Sequence, residues 1–239
     1  MLEYAIIITA LFAISLLLLA ALLYRGDYLN KLLFKLGLKT QTAKINWAVF
    51  SWNNTMEKLD YKADVVFFGD SITRGSDFRS SFPDKRIVNL GYSGDTLSGM
   101  INRVSMAKAM NPEQLFILGG INGLTNKNVF KCAELYAKLL DKMQEELPDT
   151  RIYVQSILPL SPAREKKICK NESIRLFNEQ LRALARERGL EFIDLYPIYE
   201  KDGVMNPELT VDGIHLKLQA YEGWESALKN YICTEGAHS

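Results

Sequence analysis

The chain has 239 residues, 48% hydrophobic and 24% charged, which is enough to bury one full core plus an appendage and excludes a disordered polypeptide. Its 29 basic and 28 acidic residues leave a formal charge of +1, so there is no broad positive field to hold a polyanion, and nucleic acid is not an expected partner. Three widely spaced cysteines, Cys132, Cys169 and Cys233, form no Cys-x-x-Cys pair and read as ordinary thiols, neither a disulfide framework nor a zinc site.

Residues 4–24 read YAIIITALFAISLLLLAALLY without a charge. As a helix rising about 1.5 Å per residue, this run spans a hydrocarbon core of roughly 30 Å. A cleaved signal peptide is the rival, but the stretch lacks a basic n-region, is long for an h-region and has no Ala-x-Ala site before Arg25. A retained single-pass anchor over 1–25 is therefore expected. Arg25, Lys31, Lys35, Lys39 and Lys44 follow it while Glu3 alone precedes it, and this bias leans the rest of the chain toward the cytoplasmic side.

A juxtamembrane segment over 26–61 contains an amphipathic helix at about 42–59, where Ile45, Ala48, Val49, Trp52, Met56 and Leu59 recur every three or four residues. Short apolar runs at 63–68, 86–90, 114–118, 151–157 and 190–195 read as buried parallel strands. Helical patterns at 96–109, 126–147, 172–188 and 217–232 alternate with them, and Pro148-Asp149 and Gly189 sit where helices should stop. The alternation predicts one α/β domain over 62–233, a doubly wound parallel sheet with helices on both faces, followed by a tail at 234–239.

In such sheets the site lies beyond the carboxyl ends of the strands. There the sequence places Gly69-Asp70-Ser71, Asn89-Leu90-Gly91, Gly119-Gly120-Ile121-Asn122 and, near the C-terminus, Asp212-Gly213-Ile214-His215. A serine hydroxyl needs a base, and of the two histidines His238 lies in the polar tail, leaving His215. Asp212, three residues earlier, can hold the imidazole tautomer as the third member of a triad. Backbone N–H groups of Ser71 and Gly91 and the amide of Asn122 can converge on an oxyanion, with glycine at 91 letting a substrate approach the main chain. Taken singly, Ser71 is better explained as a helix cap and Asp212-Gly213 as a turn, and Asn122 as a cap about equally well; the combination points to a nucleophilic site.

The blocks FFGDSIT, VNLGYSGDT, ILGGING and VDGIHL, in this order and each after an expected strand, resemble the SGNH hydrolase superfamily, the GDSL-like lipases and acylhydrolases, over about residues 64–229. The string Asn-Leu-Gly-x-Ser-Gly-Asp-Thr is most similar to the branch of platelet-activating-factor acetylhydrolase catalytic subunits and carbohydrate acetylesterases. The resemblance implies a flavodoxin-like three-layer α/β/α fold with strand order 2-1-3-4-5. It implies Ser71 as nucleophile, His215 and Asp212 as base and orienter, and Ser71, Gly91 and Asn122 around the oxyanion. It also implies no cofactor and no metal. Gly123 departs from the pattern, standing where the family usually has Asp or Asn.

The function so implied is a serine esterase cleaving a small-molecule ester (a short acyl ester, a sugar acetate or a lysolipid) through an acyl-enzyme. An acyltransferase using the same residues and a catalytically silent membrane-tethered binding domain are the alternatives. An α/β-hydrolase would need Gly-x-Ser-x-Gly, absent here, so Asp194 at the fifth strand reads as a cap and not as the triad acid. The loops at 76–85 and 158–170 are the expected builders of the substrate pocket.

Overall fold

The computed structural model describes residues 59–232 together with Ser15, Trp52, Thr55 and Met56. Apart from Ser15, the expected anchor at 4–24 lies outside the described residues, as do the basic stretch behind it, Cys233 and the tail. Among the described residues no helix is long and apolar enough to cross a membrane. The chain divides into the units Met1–Ala48 and Val49–Ser239, and the fold below is that of the second. Trp52, Thr55, Met56 and Leu59 are helical; Trp52 and Met56 pack against the core, and Trp52 Nε1 donates to Met106 O at 3.2 Å.

Five parallel strands form the central sheet: β1 (Val65–Gly69), β2 (Ile87–Gly91), β3 (Gln114–Leu118), β4 (Arg151–Gln155) and β5 (Glu191–Ile193), in the order β2-β1-β3-β4-β5. Every position of β1 and β3 is buried, as the unbroken apolar runs require of strands covered on both faces. On one face Phe67, Phe116 and Tyr153 stack across adjacent strands, with centroids 5.3 and 4.6 Å apart, and Phe78 stacks on Phe67 at 3.7 Å beneath Trp224. Phe78 thus ties the segment at 76–85 into the core, while Asp77, Arg79 and Ser80 beside it are exposed.

Two expected helices differ from the sequence pattern. The run at 96–109 is broken into Leu97–Asn102 and Val104–Lys108 at Arg103, whose φ of −117° and ψ of 16° leave the helical region. Its side chain is drawn inward and fully buried. The run at 217–232 begins as a 3₁₀ turn, Leu218–Ala220, before the helix Tyr221–Ile232. A small antiparallel hairpin, β6 (Glu200–Lys201) and β7 (Val204–Met205), is new; Asp202 and Gly203 supply its two positive φ angles, 54° and 82°.

Register positions the site. Gly69 pairs with both Gly91 and Leu118, so β1, β2 and β3 end on one level and their following loops leave the same edge of the sheet. Beyond β4, buried Asn171 and Asn178 on the helix Asn171–Glu187 each accept from and donate to the loop main chain. Asn178 does so at Ile157 (2.8 and 2.9 Å) and Asn171 at Leu160 (2.8 and 2.8 Å).

Candidate active site

After β1 the chain turns at Asp70, whose Oδ1 accepts from Ile72 N at 3.0 Å and starts the one-turn helix Ser71–Arg74. The turn lifts Ser71 to the sheet edge, half-buried. From the C-terminal loop comes His215, and Ser71 Oγ and His215 Nε2 are 2.9 Å apart. His215 Nδ1 lies 3.0 Å from Asp212 Oδ2. A carboxylate can only accept, so Nδ1 carries the proton and Nε2 is left to accept from the Ser71 hydroxyl.

The Asp212 loop is held from several sides. Partial burial pushes the Asp212 carboxyl up, but the His215 backbone N–H at 2.9 Å, the His215 ring and the Ile214 N–H at 3.1 Å outweigh it and hold the carboxyl at about 2. Arg164 from the loop after β4 also reaches it, with Nε donating to Asp212 O at 2.9 Å and a terminal nitrogen donating to Oδ2. Gly213 has a φ of +89°, and a Cβ there would fall 2.0 Å from Ser161 Oγ, so only glycine lets this loop seat against the segment carrying Arg164. Asp194 is elsewhere engaged: Oδ2 accepts from Arg182 at 2.6 Å and Oδ1 accepts from Tyr196 N at 3.2 Å, one residue ahead of the N-cap Leu195.

The expected oxyanion donors differ in availability. Ser71 N–H sits in the first turn of its helix, where no intrahelical acceptor exists. Asn122 does not cap a helix; its Nδ2 donates to Asp95 O at 3.0 Å, which uses one of its two hydrogens. The Gly91 N–H is already accepted by Asn89 Oδ1 at 2.8 Å. Gly91 is glycine for a reason other than substrate approach: a Cβ there would lie 2.2 Å from Arg74 N and 2.8 Å from Thr73 C, so β2 closes directly onto the turn that carries Ser71. Asn89 fixes that contact from its other end, donating Nδ2 to Thr73 O at 2.8 Å. At Gly123, where a Cβ would meet open space, the third loop is tied through its backbone: Asn128 Nδ2 donates to Gly123 O at 2.8 Å and Asn128 Oδ1 accepts from Thr125 N at 2.7 Å.

Residues 67–222, about two thirds of the chain, match the GDSL-like lipase/acylhydrolase family. A solved structure from Streptococcus pneumonia named for platelet activating factor superposes with a TM-score of 0.71 at 23% identity, covering 87% of this chain and 98% of that one. A mutant of an acetyl-xylooligosaccharide esterase from Geobacillus stearmophilus gives 0.57 at 16%, covering 75% and 98%. Both likenesses are of fold. In sequence, the N-acylneuraminate cytidylyltransferase of Streptococcus agalactiae is 21% identical over 171 residues, or 72% of this chain and 39% of that protein, so the chain spans well under half of its curated relative.

Proposed function

We propose that this chain, which belongs to the GDSL-like lipase/acylhydrolase family, hydrolyses ester bonds through a Ser71–His215–Asp212 triad and a seryl acyl-enzyme. The observation that carries this reading is the unbroken path from Ser71 Oγ to His215 Nε2 at 2.9 Å and from Nδ1 to an ionised Asp212 at 3.0 Å. His215 takes the Ser71 proton as Oγ attacks the ester carbonyl and returns it to the leaving alcohol; water then cleaves the acyl-enzyme by the same route. Ser71 N–H and the second Asn122 amide hydrogen stabilise the oxyanion. Gly91 N–H joins them to the extent that it shares its hydrogen with Asn89.

Truncating Asn122 to Ala is expected to lower kcat by about 10² to 10³ with the fold unchanged, measured on an aryl ester. Wild-type turnover in a folded Asn122→Ala protein would remove this amide from the oxyanion hole. The triad itself is tested with a fluorophosphonate, which reacts only with an activated serine. Peptide mapping of the labelled full-length protein is expected to place the adduct on Ser71, and an unlabelled protein or an adduct on another serine would overturn the assignment.

The ester is proposed to be a small molecule, and rates across aryl esters from acetyl to long-chain acyl separate a short acyl ester or sugar acetate from a lysolipid. The charge-free run at 4–24 supports a further part of the proposal, a membrane anchor with the basic residues after it on the cytoplasmic side.

A further inference from the structure

Arg103 is the one charged side chain on the inner face of the segment 97–108, at helical spacing from buried Met100, Val104 and Ala107. In the fold it is fully buried, as is its partner Asp95, with Nε donating to Asp95 Oδ2 at 2.6 Å. Its other two nitrogens donate to main-chain carbonyls, Nη1 to Leu90 O and Nη2 to Gly69 O, both at 2.8 Å. The guanidinium carbon also lies 3.9 Å from the Phe68 ring centroid and 4.9 Å from that of Tyr92. Burial pushes Asp95 up and Arg103 down, and the opposite charge of each pulls the other back toward the ionised pair. A buried pair is a poor source of net stability, so its retention calls for another explanation.

The carbonyls it holds supply one. Gly69 ends β1, two residues before Ser71. Leu90 O and Gly91 N–H are opposite ends of a single planar peptide group, so fixing the oxygen fixes the direction of the N–H. Asp95, pinned through Oδ2 by Arg103 and through Oδ1 by Thr96 N at 2.9 Å, presents its own carbonyl to Asn122 Nδ2 at 3.0 Å. One guanidinium fork therefore reaches the supports of Ser71, Gly91 and Asn122, which come from three separate strand ends.

We propose that Arg103 is a positioning residue for the oxyanion site: it sets the donors of β1, β2 and the Asn122 loop to a common point without touching substrate. The inference rests on the oxyanion role proposed above for Asn122. Lysine at 103 keeps the charge beside Asp95 but cannot span three acceptors in fixed geometry. Arg103→Lys is accordingly expected to lower kcat about 10- to 100-fold while KM changes less than about threefold, since the loss falls on the transition state.

Three full-length variants decide it: Arg103→Lys, Asn122→Ala and the double variant, assayed for kcat, KM and affinity for an aryl trifluoromethyl ketone, which forms a tetrahedral adduct with serine. If Arg103 acts through Asn122, the lysine substitution costs much less in the Asn122→Ala background than alone, and ketone affinity falls in step with kcat. Losses that multiply independently, or a folded Arg103→Lys enzyme with wild-type kcat and only a lower Tm, would overturn the proposal. Should Arg103→Lys not fold, Asp95→Asn weakens the same pair while keeping the Asp95 carbonyl, and wild-type kcat in that variant overturns it equally. A wild-type kcat for Asn122→Ala alone would instead defeat the oxyanion reading on which the proposal stands.

Discussion

Asp212→Asn is expected to lower kcat by about 10⁴ on any ester the enzyme accepts, whereas Asp194→Asn leaves it within a few-fold of wild type. Asparagine at 212 keeps an oxygen for the Ile214 and His215 backbone N–H groups and its own carbonyl for Arg164 Nε, so the loop keeps these ties and loses only the Arg164 bond to Oδ2. What changes is the group facing His215 Nδ1. An amide NH₂ there donates where a carboxylate accepts, which favours the tautomer with Nδ1 unprotonated and places the ring proton on Nε2, facing Ser71 Oγ. The base is then blocked at the atom that must take the serine proton.

The charge is lost as well, so the imidazolium that forms in the transition state has no counter-ion except through solvent. Because Asp212 is held at about 2, it is ionised at every pH at which the assay is practical, and the deficit should be uniform across the profile. At Asp194 the corresponding change removes a half-exposed ion pair with Arg182, worth at most about 1 kcal/mol. Steady-state kinetics on both variants is sufficient, and an ordering opposite to that expected would move the acid of the triad to Asp194.

The parts of this arrangement that sequence reveals are those written in local pattern. Five apolar runs gave five strands, their order is the one the family resemblance implied, and the blocks after them hold the residues that meet at the sheet edge. The parts it conceals depend on pairings across long stretches of chain. Arg164 and Asp212 are 48 residues apart, and nothing in either segment signals the other. Arg103 follows helical periodicity, so the break in the helix is legible only once Asp95, Leu90 and Gly69 are seen converging on its side chain. A charged residue flanked by Met100, Val104 and Met106 on an otherwise apolar face is the signal that could have disclosed it. Asn89, too, lies inside a quoted block, but its service to Thr73 and Gly91 is a matter of three-dimensional closure. The Asp202-Gly203 hairpin, by contrast, carried a legible turn signal that the helix-strand alternation obscured.

Asp70→Asn is expected to stabilise the protein at pH 8 relative to wild type by much more than it does at pH 4. Asp70 is fully buried next to the nucleophile, its Oδ2 has no hydrogen-bond partner, and burial drives its carboxyl from 3.8 up to about 7, with Asp95 raising it further and the Ile72 N–H opposing. The folded state therefore holds this proton more tightly than the unfolded chain does. Below pH 3.8 both states are protonated and the group is neutral in its effect; between 3.8 and about 7 only the folded state binds the proton, and stability falls as pH rises. At about 1.4 kcal/mol per pH unit the accumulated penalty is of order 4 kcal/mol, complete above pH 7.

Asparagine carries no charge to bury and retains an oxygen for Ile72 N, so that penalty disappears. Its NH₂ in place of Oδ2 brings a pH-independent cost of about 1 to 3 kcal/mol if it finds no acceptor, which shifts the variant's curve without tilting it. The quantity to measure is thus the difference in unfolding free energy between wild type and Asp70→Asn from pH 4 to pH 8. It should grow in favour of the variant through pH 4–7 and then level. A difference independent of pH would mean that Asp70 is already ionised in the folded enzyme at low pH, with a buried partner for Oδ2.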